Sequence, residues 1–451
     1  MKLVYDVYDK PKGLQLIFLA LQQMLAILAA TLAVPMIVGN GLTPASAMFG
    51  AGVGTLVYIL ATKKKSPVFL GSSFAFIGSM SAAFAGASTM SLGMLGIIIG
   101  AFSAGLVYLI IAVIVKKVGT KWVDRLMPPV VIGPTVSIIG LSLAGNAVSD
   151  LQSSGVPNAP VSQYISIVCG LITLIVTMCF SVYGKKFTKL IPFILGIAAG
   201  YFFAAIFTAI GFATKTDEFK IIDFSVFAQN MMPKGHIGIE SFVSLPDFVF
   251  THAAKGFKHI YPAYFATVLV AYIPVALVVF AEHIADHKNL SSVIGRDLLK
   301  DPGLSATLTG DGLGSAIGAF FGGCPNTTYG ESVGCVAITG NASTITIAAA
   351  SVGCIMLSFF TPFISFVQSI PSCVMGGICI ALYGFIAVSG FKMIQKVDLD
   401  DHKNLFTVAV ILICGIGGFS MDFGAIKITE VASALILGMI TNKLLTRKEM
   451  L

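Results

Sequence analysis

The stretch VALVVFAEHIADH, residues 275–287, runs from seven apolar residues directly into two carboxylates and two histidines. The stretch before it, YFATVLVAYIP, is equally apolar, so the whole segment is long enough to cross a bilayer. A charged side chain at the bilayer centre costs on the order of 3 kcal/mol or more. The segment therefore predicts a membrane-spanning helix with a functional polar end. Its ionisable residues are Glu282, His283, Asp286 and His287.

The composition of the whole chain agrees with this interpretation. Of its 451 residues, 56% are hydrophobic and 11% are charged, whereas soluble proteins carry about 25% charged residues. The eight cysteines show no CxxC spacing and are interpreted as small apolar residues, without a disulfide framework or a metal cluster. The chain is predicted to be a polytopic membrane protein that needs no cofactor.

Apolar runs separated by Gly, Pro and charged residues predict about 14 spans of roughly 20 residues each. The charged N-terminus leads into the first span without a signal-peptide cleavage pattern. The expected bounds are 14–36, 45–62, 67–87, 91–115, 127–147, 162–183, 189–212, 263–287, 303–322, 325–342, 343–367, 370–391, 404–421 and 427–445.

The basic residues predict the orientation of these spans. With the N-terminus in the cytoplasm, most of the 28 Lys and Arg fall in cytoplasmic loops and tails. This asymmetry satisfies the positive-inside rule, with both termini cytoplasmic in the cell's inner (plasma) membrane. Topology explains the net charge of +7, so no nucleic-acid partner is expected. The exceptions are Lys215, Lys220, Lys234, Lys255, Lys258 and Lys427; Lys427 is expected to pair with Glu430 at an outer helix end.

The first residues of the third and tenth spans are unfavourable for helix formation. SPVFLGSSFAF (66–76) contains Pro67, and GGCPNTTYGES (322–332) contains Pro325 and the β-favouring run TTY before Gly330. Each predicts a short extended segment that enters a half-helix, with ordinary loops as the alternative. Such backbone is tolerated at membrane depth only beside a cavity or inside protein. Two breaks seven spans apart predict an inverted repeat with a substrate site between the half-helix ends.

The acidic residues of these spans are candidate site residues. Lys288 predicts the end of the eighth span, so Asp286 and His287 are expected near cytoplasmic water, while Glu282 lies more than one turn deeper. Glu331 is the one acidic residue of the tenth span, near a half-helix N-terminus where the dipole favours an anion. We expect Glu282 and Glu331 to be functional, with interhelical hydrogen bonding as the alternative.

The histidines have their own alternatives. His287 is interpreted as functional, against the alternative of an interfacial histidine, whereas His283 and Asp286 are interpreted as structural. The two histidines lie four residues apart and could share a zinc ion from one helical face. The sequence lacks H-E-x-x-H, and the other histidines fall in loops. No metal site is therefore expected.

Four motifs carry a resemblance to a known family: AEHIADH (281–287), RDLLKDPGL (296–304), GCPNTTYGESVG (323–334) and FLGSSFAF (69–76). They resemble the nucleobase–ascorbate transporter family (nucleobase:cation symporter 2 type), and within it the bacterial uracil–proton symporters. The resemblance covers nearly the whole chain. It implies an all-α polytopic membrane protein with 14 transmembrane segments in two inverted 7-span repeats. It also implies short extended strands that break spans 3 and 10, a homodimer in the lipid bilayer, and alternating access.

The resemblance also implies a division into two domains. The core domain would comprise 14–126 (spans 1–4) and 263–368 (spans 8–11), and the gate domain 127–212 (spans 5–7) and 369–446 (spans 12–14). Residues 1–13 and 447–451 would be cytoplasmic tails, and 213–262 an extracytoplasmic loop.

Site residues are carried over by position. The implied substrate-binding residues are Glu282, Glu331, Phe74, Gly330, Ala30, Tyr329 and Tyr383. The implied proton-coupling residues are Glu282, His287 and Glu331. A planar pyrimidine has N–H donors and C=O acceptors, which suit carboxylates and the free backbone N–H groups of broken helices.

Three residues depart from the family pattern and leave the cargo open. Ser332 replaces the usual Asn, Gly340 stands where uracil-type members have Arg, and Asp286 adds a carboxylate. The expected function is proton-coupled import of uracil, and the alternative is xanthine or another purine on the same fold. Two central carboxylates disfavour an anion carrier. An intramembrane metalloenzyme and a passive channel are weaker hypotheses, and no enzymatic activity is expected.

Overall fold

The computed structural model describes residues 3–119, 122, 128–154, 161–189, 191–232, 235–422 and 427–446. Of the residues predicted above to lie in loops and tails, Lys234 and the tail 447–451 lie outside the described residues. The elements in chain order are α1 (Leu14–Val38), α2 (Pro44–Ala61), β1 (Leu70–Ser72), α3 (Ile77–Ala85), α4 (Met90–Val118), α5 (Pro129–Ser142), α6 (Ala144–Leu151), α7 (Gln163–Tyr183), α8 (Pro192–Thr214), α9 (Ser225–Met231), α10 (Val249–Gly256), α11 (Pro262–Ile294), α12 (Leu304–Gly322), β2 (Asn326–Thr328), α13 (Gly330–Thr339), α14 (Thr344–Ser358), α15 (Thr361–Gln368), α16 (Ser372–Ile394), α17 (His402–Ile416), β3 (Met421–Asp422), β4 (Lys427–Ile428) and α18 (Glu430–Thr446).

Within the described residues, 8 helical segments are long and apolar enough to cross a membrane. They are α1, α2, α4, the continuous α5–α6 segment, α7, α8, α11 and α16. Other apolar regions are built from shorter helices. The predicted span 343–367 is divided into α14 and α15. The chain is thus a predominantly helical, multi-pass membrane protein.

Helix α11 extends past residue 287, where the eighth span was predicted to end. Helix α11 continues to Ile294, because Leu290 and Ile294 are buried in an apolar cluster that includes Tyr58. Lys288 is exposed, but it lies on the outer side of a helix that does not stop there. As a result, His287 is fully buried and Asp286 is only 8% exposed.

The two broken spans meet inside the protein. Strands β1 and β2 pair antiparallel, with Gly71 opposite Thr327, and every residue of both strands is buried. A 3₁₀ turn, Phe74–Phe76, leads from β1 into α3, and α13 begins two residues after β2. An isolated two-stranded ribbon is marginally stable in water. Here α1, α2, α11 and α12 contact the ribbon and hold it.

Small residues allow α2 and α12 to approach the ribbon closely. The Asn326 side-chain N–H₂ donates to the Gly50 carbonyl at 2.9 Å and to the Gly314 carbonyl at 3.4 Å. A Cβ added at Gly318 would lie 2.2 Å from Asn326 Nδ2. Close backbone approach through small residues is a common packing solution between membrane helices. This packing sets the position of β2, and β2 sets the start of α13.

The N-terminal segment, residues 3–13, is bound to the end of this helix group. The backbone N–H groups of Val4 and Tyr5 donate to the Gly340 carbonyl at 2.8 and 3.2 Å. Val7 is buried in the same apolar cluster as Tyr58. We call this end of the molecule the tail side, and the opposite end, which carries the segment 213–262, the loop side.

Ion pairs also lie at the tail side of the molecule. Lys65 Nζ lies 2.6 Å from the Asp301 carboxylate, and this hydrogen-bonded carboxylate raises the pKa of Lys65. Arg296 pairs with Asp6 and lies over the Tyr8 ring, 5.2 Å from its centroid. These pairs are partly exposed, and exposed ion pairs contribute little to stability. The contacts of Arg296 with Asp6 and Tyr8 therefore set the position of the segment 3–13 more than they stabilise the fold.

Helix contacts fall into two groups. In the first, α2 and α4 pack on α12, α14 packs on α1 and α2, and α11 packs on α3 and α4. In the second, α5 packs on α16 and α17, α7 packs on α8 and α16, and α18 packs on α17 and α5. Helix α11 also touches α5 and α18, and α1 touches α8 and α16, so the two groups meet along α11 and α1.

We expect Gly318→Ala to lower the thermal unfolding temperature of the detergent-solubilised protein. The new methyl group collides with the Asn326 amide, which cannot move without losing its bond to Gly50, and overpacking of this kind costs about 1–3 kcal/mol. Gly334→Ala is the matched control, because a Cβ there meets open space. Equal unfolding temperatures for the two variants would contradict this account of the α2–α12 contact.

Candidate functional site

A small polar cavity lies where the two strands lead into their helices. Its volume is about 40 Å³, a space on the scale of a few water molecules. The first helix group supplies its polar wall, and α5 and α16 of the second group close it with apolar side chains. The lining residues are Ser73, Phe74, Ala75, Val136, Ile139, Glu282, Thr327, Tyr329, Gly330, Glu331 and Ile386.

Two carboxylates line this cavity from different helices. Glu282 comes from the middle of α11, and Glu331 from the first turn of α13. Among the described residues, Glu282 makes no hydrogen bond, and neither carboxylate forms a salt bridge. The pair therefore offers hydrogen-bond acceptors to a ligand that carries N–H groups.

Backbone donors face the same region. The first N–H groups of α13, from Gly330 onward, have no intrahelical acceptor, and Tyr329 at the N-cap provides no side-chain cap. The Tyr329 hydroxyl instead donates to the Ser72 carbonyl at 2.6 Å, which joins the two breaks. Phe74 opens the 3₁₀ turn on the facing wall. Acceptors and donors thus converge on one small space at the end of a helix dipole.

A chain of polar groups lies behind the cavity, toward the tail side. His287 Nδ1 donates to the His283 carbonyl at 2.8 Å, and its Nε2 lies 2.7 Å from the Tyr58 hydroxyl. The Tyr58 hydroxyl also lies 2.8 Å from Ser66 Oγ, to which its single proton is donated only while His287 Nε2 carries a proton of its own. Because a carbonyl only accepts, Nδ1 keeps its proton and Nε2 is the atom that can gain or lose one. Protonation of Nε2 determines whether His287 or Tyr58 donates between them.

His283 and Asp286 have partners inside the protein. His283 Nδ1 lies 2.7 Å from Asp311 Oδ2, and both side chains are fully buried, so this contact ties α11 to α12. Asp286 Oδ2 accepts from Thr328 Oγ1 at 2.9 Å. Its Oδ1 lies 3.8 Å from the position that a Cβ added to Gly330 would occupy. Asp286 therefore places a third carboxylate beside the start of α13 without lining the cavity.

The structure separates the predicted site residues into two sets. Those that line the cavity are Glu282, Glu331, Phe74, Gly330 and Tyr329. Ala30 is buried on α1 and Tyr383 on α16, and neither lines it. The Tyr383 ring packs edge-on against Phe74, with centroids 5.8 Å apart. His287 lies beyond Glu282 along α11.

Several lining residues were not predicted from the sequence. Ser73 and Thr327 lie inside the two broken segments, within two residues of Phe74 and Tyr329. Their sequence positions could therefore have indicated that they line the cavity. Val136, Ile139 and Ile386 are aliphatic residues in aliphatic spans. No residue type or spacing distinguishes them from their lipid-facing neighbours.

Ser332 and Gly340 make contacts within the framework. Ser332 Oγ accepts from the Phe69 backbone N–H at 3.0 Å and from Gln23 Nε2 at 2.6 Å. Gly340 follows the last residue of α13 with φ +67°. Its carbonyl accepts hydrogen bonds from backbone N–H groups of the N-terminal segment. Neither residue lines the cavity. These two departures from the family pattern therefore affect the contacts that hold α13 in place. They do not change a residue that lines the cavity.

A larger cavity, of about 760 Å³, leads from this site toward the loop side. It shares Phe74, Ala75 and Ile139 with the small cavity. Residues of α3 and α11 line one wall, and residues of α5, α6 and α18 line the other. We call it the vestibule. The small cavity is thus approached from the loop side between the two helix groups.

The fold is predominantly helical and multi-pass, and solved structures of membrane transporters are similar to it. The fold is similar to the transmembrane domain of the cyanobacterial bicarbonate transporter BicA, with a TM-score of 0.58 at 15% identity over 96% of this chain and 98% of that one. It is also similar to the murine anion transporter Slc26a9 in the inward-facing state, with a TM-score of 0.66 at 11% identity over 98% of this chain and 69% of that one. At these identities the likeness concerns the fold alone.

Residues 14–422 match the Permease family, and the chain belongs to it. It is 37% identical to the uracil permease of Bacillus caldolyticus over 450 residues, 98% of this chain and 95% of that protein. It is 35% identical to the uracil permease of Escherichia coli K12, over 96% and 91% of the two chains. The family resemblance drawn from the motifs is confirmed, and the chain is a permease and not an enzyme.

We expect Ser332→Ala to lower the thermal unfolding temperature. The substitution removes the acceptor of the buried Phe69 N–H, and a buried donor without a partner costs about 1–3 kcal/mol. Ser305→Ala is the control, since its side-chain hydroxyl makes no hydrogen bond in the described part of the chain. Thermal unfolding in detergent compares the two, and an unchanged value for Ser332→Ala would refute a framework role.

Proposed function

We propose that this protein imports a nucleobase, with uracil as its cargo, by proton symport. The observation that carries the proposal is the pair Glu282 and Glu331, which line one cavity together with the uncapped start of α13. Acceptors without a paired cation suit a neutral cargo that carries N–H groups. The names of its full-length relatives, uracil permeases, support the choice of cargo.

Recognition follows from the hydrogen-bonding edges of a pyrimidine ring. Glu282 and Glu331 accept from its N–H groups, and the backbone N–H groups at Phe74 and Gly330 donate to its carbonyl oxygens. Tyr329 forms part of the wall. Each polar group left unpaired in such a site costs free energy, so an analogue that lacks a partner is rejected. When the cavity opens, Ala30 and Tyr383 join its lining.

Proton coupling follows from the crowding of carboxylates. Glu282 is within electrostatic reach of Asp286, Glu331 and Asp311. In a medium of low dielectric, neighbouring carboxylates without cations cannot all be ionised. The site therefore holds a proton when substrate is bound. The chain from His287 to Tyr58 and Ser66 carries the proton toward the tail side and the cytoplasm.

Movement between two domains supplies alternating access. The core domain comprises 14–126 and 263–368, and the gate domain 127–212 and 369–446; the two groups of packed helices support this division. The small cavity is too confined for a six-membered ring, so binding requires α5 and α16 to withdraw from the strands. The vestibule supports an approach from outside the cell, with both termini in the cytoplasm.

The 14 spans form two inverted repeats, in which β1–α3 and β2–α13 are the equivalent broken elements. Their antiparallel pairing supports this symmetry. A homodimer is part of the proposal, because the family resemblance of the motifs implies it. Xanthine or another purine is the alternative cargo. Ser332 and Gly340, the residues that suggested it, make framework contacts, so no contact at the cavity favours it.

The experiment that tests the function is radiolabelled uracil uptake into proteoliposomes, with and without an acid-outside pH gradient. We expect accumulation above the equilibrium level only with the gradient. Accumulation that is independent of the gradient would refute proton symport. A correctly folded preparation that takes up xanthine but no uracil would refute the choice of cargo.

We expect Glu331→Gln to abolish uracil binding. The amide N–H₂ replaces an acceptor with a donor, which then faces the N–H of the ring. Titration calorimetry on the purified protein measures the affinity, and Glu218→Gln in an exposed turn is the control. Affinity equal to that of the wild type would remove Glu331 from the site.

We expect His287→Ala and Tyr58→Phe to flatten the pH dependence of uptake more than they weaken uracil binding. Both variants interrupt the chain at His287 Nε2 without changing a cavity-lining residue. Uptake across a series of external pH values measures this, with the exposed His402→Ala as control. A pH profile that matches the wild type would exclude His287 from the proton path.

A further inference from the structure

The vestibule contains polar groups that the central site does not use. We propose that it holds a second, weaker nucleobase subsite, formed by Asn146, Thr429 and Glu430, through which the cargo passes before it reaches the carboxylates. The inference rests on the proposed function and names an additional binding site on the same route. At about 760 Å³, the vestibule has room for a planar heterocycle, unlike the central cavity.

The first observation is an unsatisfied hydroxyl. Thr429 lines the vestibule, is only 8% exposed, and its Oγ1 has no hydrogen-bond partner among the described residues. A buried polar atom without a partner costs free energy that a bound ligand recovers. Thr429 lies directly before the first residue of α18, so a rigid helix fixes its position.

The neighbouring side chains complete a hydrogen-bonding set. Asn146 on α6 is exposed, and its amide offers both a donor and an acceptor. Glu430 is partly exposed in the first turn of α18 and offers acceptors. Together with the Thr429 hydroxyl, they give the vestibule both donors and acceptors, the two kinds of group that pair with a nucleobase edge. These residues are on the gate side of the vestibule, opposite α3 and α11.

The charge of the lining favours a neutral cargo. Among the described residues that line the vestibule, Glu430 is the one with a charged side chain; Lys and Arg are absent from that set. The Lys427 side chain, predicted to pair with Glu430, lies outside the described residues. A carboxylate at a water-filled entrance repels anions and leaves neutral rings unaffected. The subsite therefore selects against a pyrimidine that carries a carboxylate, such as orotate.

The subsite is distinct from the central site. The two cavities share Phe74, Ala75 and Ile139, whereas Glu282 and Glu331 line only the central one. The shared residues form the boundary that the ring crosses. Substitutions at Asn146 or Thr429 therefore change the approach of the cargo and leave the central contacts intact.

The test is the initial rate of radiolabelled uracil uptake into proteoliposomes, with external uracil varied. We expect Asn146→Ala and Thr429→Val each to raise the KM about threefold to tenfold, the effect of one lost hydrogen bond, with the maximal rate unchanged. Ser149→Ala, on the same helix but outside the lining, is the matched control and should retain the wild-type KM. Asn146 is exposed, so its variant does not depend on core packing.

The outcomes separate the two proposals. A wild-type KM in both variants, with uracil uptake intact, would overturn the subsite and leave the proposed function standing. Absence of uracil uptake by the folded wild-type protein would overturn the proposed function and the subsite with it. A fall in maximal rate at unchanged KM would also overturn the subsite, because it would indicate a role in domain movement.

Inhibition by orotate tests the role of the Glu430 carboxylate. We expect orotate to inhibit uracil uptake more strongly in Glu430→Gln than in the wild type, because the repelling carboxylate is gone. Uracil itself should remain a substrate of this variant. Equal inhibition by orotate in the two proteins would overturn the role of Glu430 as a filter, whether or not Lys427 neutralises it.

Discussion

The structure depends on the hydrogen bonds of backbone that is not helical at membrane depth. Each unsatisfied peptide group costs several kcal/mol in hydrocarbon, so the two broken spans must satisfy each other or be enclosed. They do both: β1 pairs with β2, Ser73 N–H donates to the Pro325 carbonyl at 2.9 Å, and Asn326 binds the Gly50 carbonyl. Three glycines of α2 and α12 admit this ribbon: a Cβ added at Gly54 or Gly318 would meet Asn326, and one at Gly314 would meet Leu70. The uncapped start of α13, and with it the cavity, follows from the same arrangement.

The ionisable side chains of α11 differ in whether they have hydrogen-bond partners inside the protein. His283 is paired with Asp311, and His287 is bound to a carbonyl and to Tyr58, whereas Glu282 has no hydrogen bond within the described residues. A side chain with fixed partners holds helices together, and one without partners is available to a ligand. The bond between Asp286 and Thr328 is intermediate, since it brings a third carboxylate to the edge of the site. One helix thus carries framework contacts, the proposed proton chain and the proposed ligand contact in successive turns.

Particular residues show how far the sequence could be interpreted. Glu282 and Glu331 were found because carboxylates are rare in apolar spans, and Phe74, Gly330 and Tyr329 were implied by the family resemblance; all five line the cavity. The continuation of α11 to Ile294 was not predicted, because Lys288 is typical of a membrane boundary when the burial of Leu290 and Ile294 is unknown. Ser332 and Gly340 were interpreted through the cargo, yet their partners, Phe69 and the N-terminal segment, are more than 250 residues away in sequence. Such distant contacts leave no local pattern.

By itself, the sequence determined that the chain is a multi-pass permease with two breaks and a carboxylate pair, because hydropathy, backbone satisfaction and the cost of buried charge act on local segments. Only the tertiary structure decided which carboxylates share a cavity, that aliphatic residues of α5 and α16 close it, and that the vestibule carries Asn146, Thr429 and Glu430. These features depend on how two helix groups meet. In a membrane, lipid-facing and protein-facing aliphatic residues have the same solvent preference, so composition cannot distinguish an interface from the lipid surface.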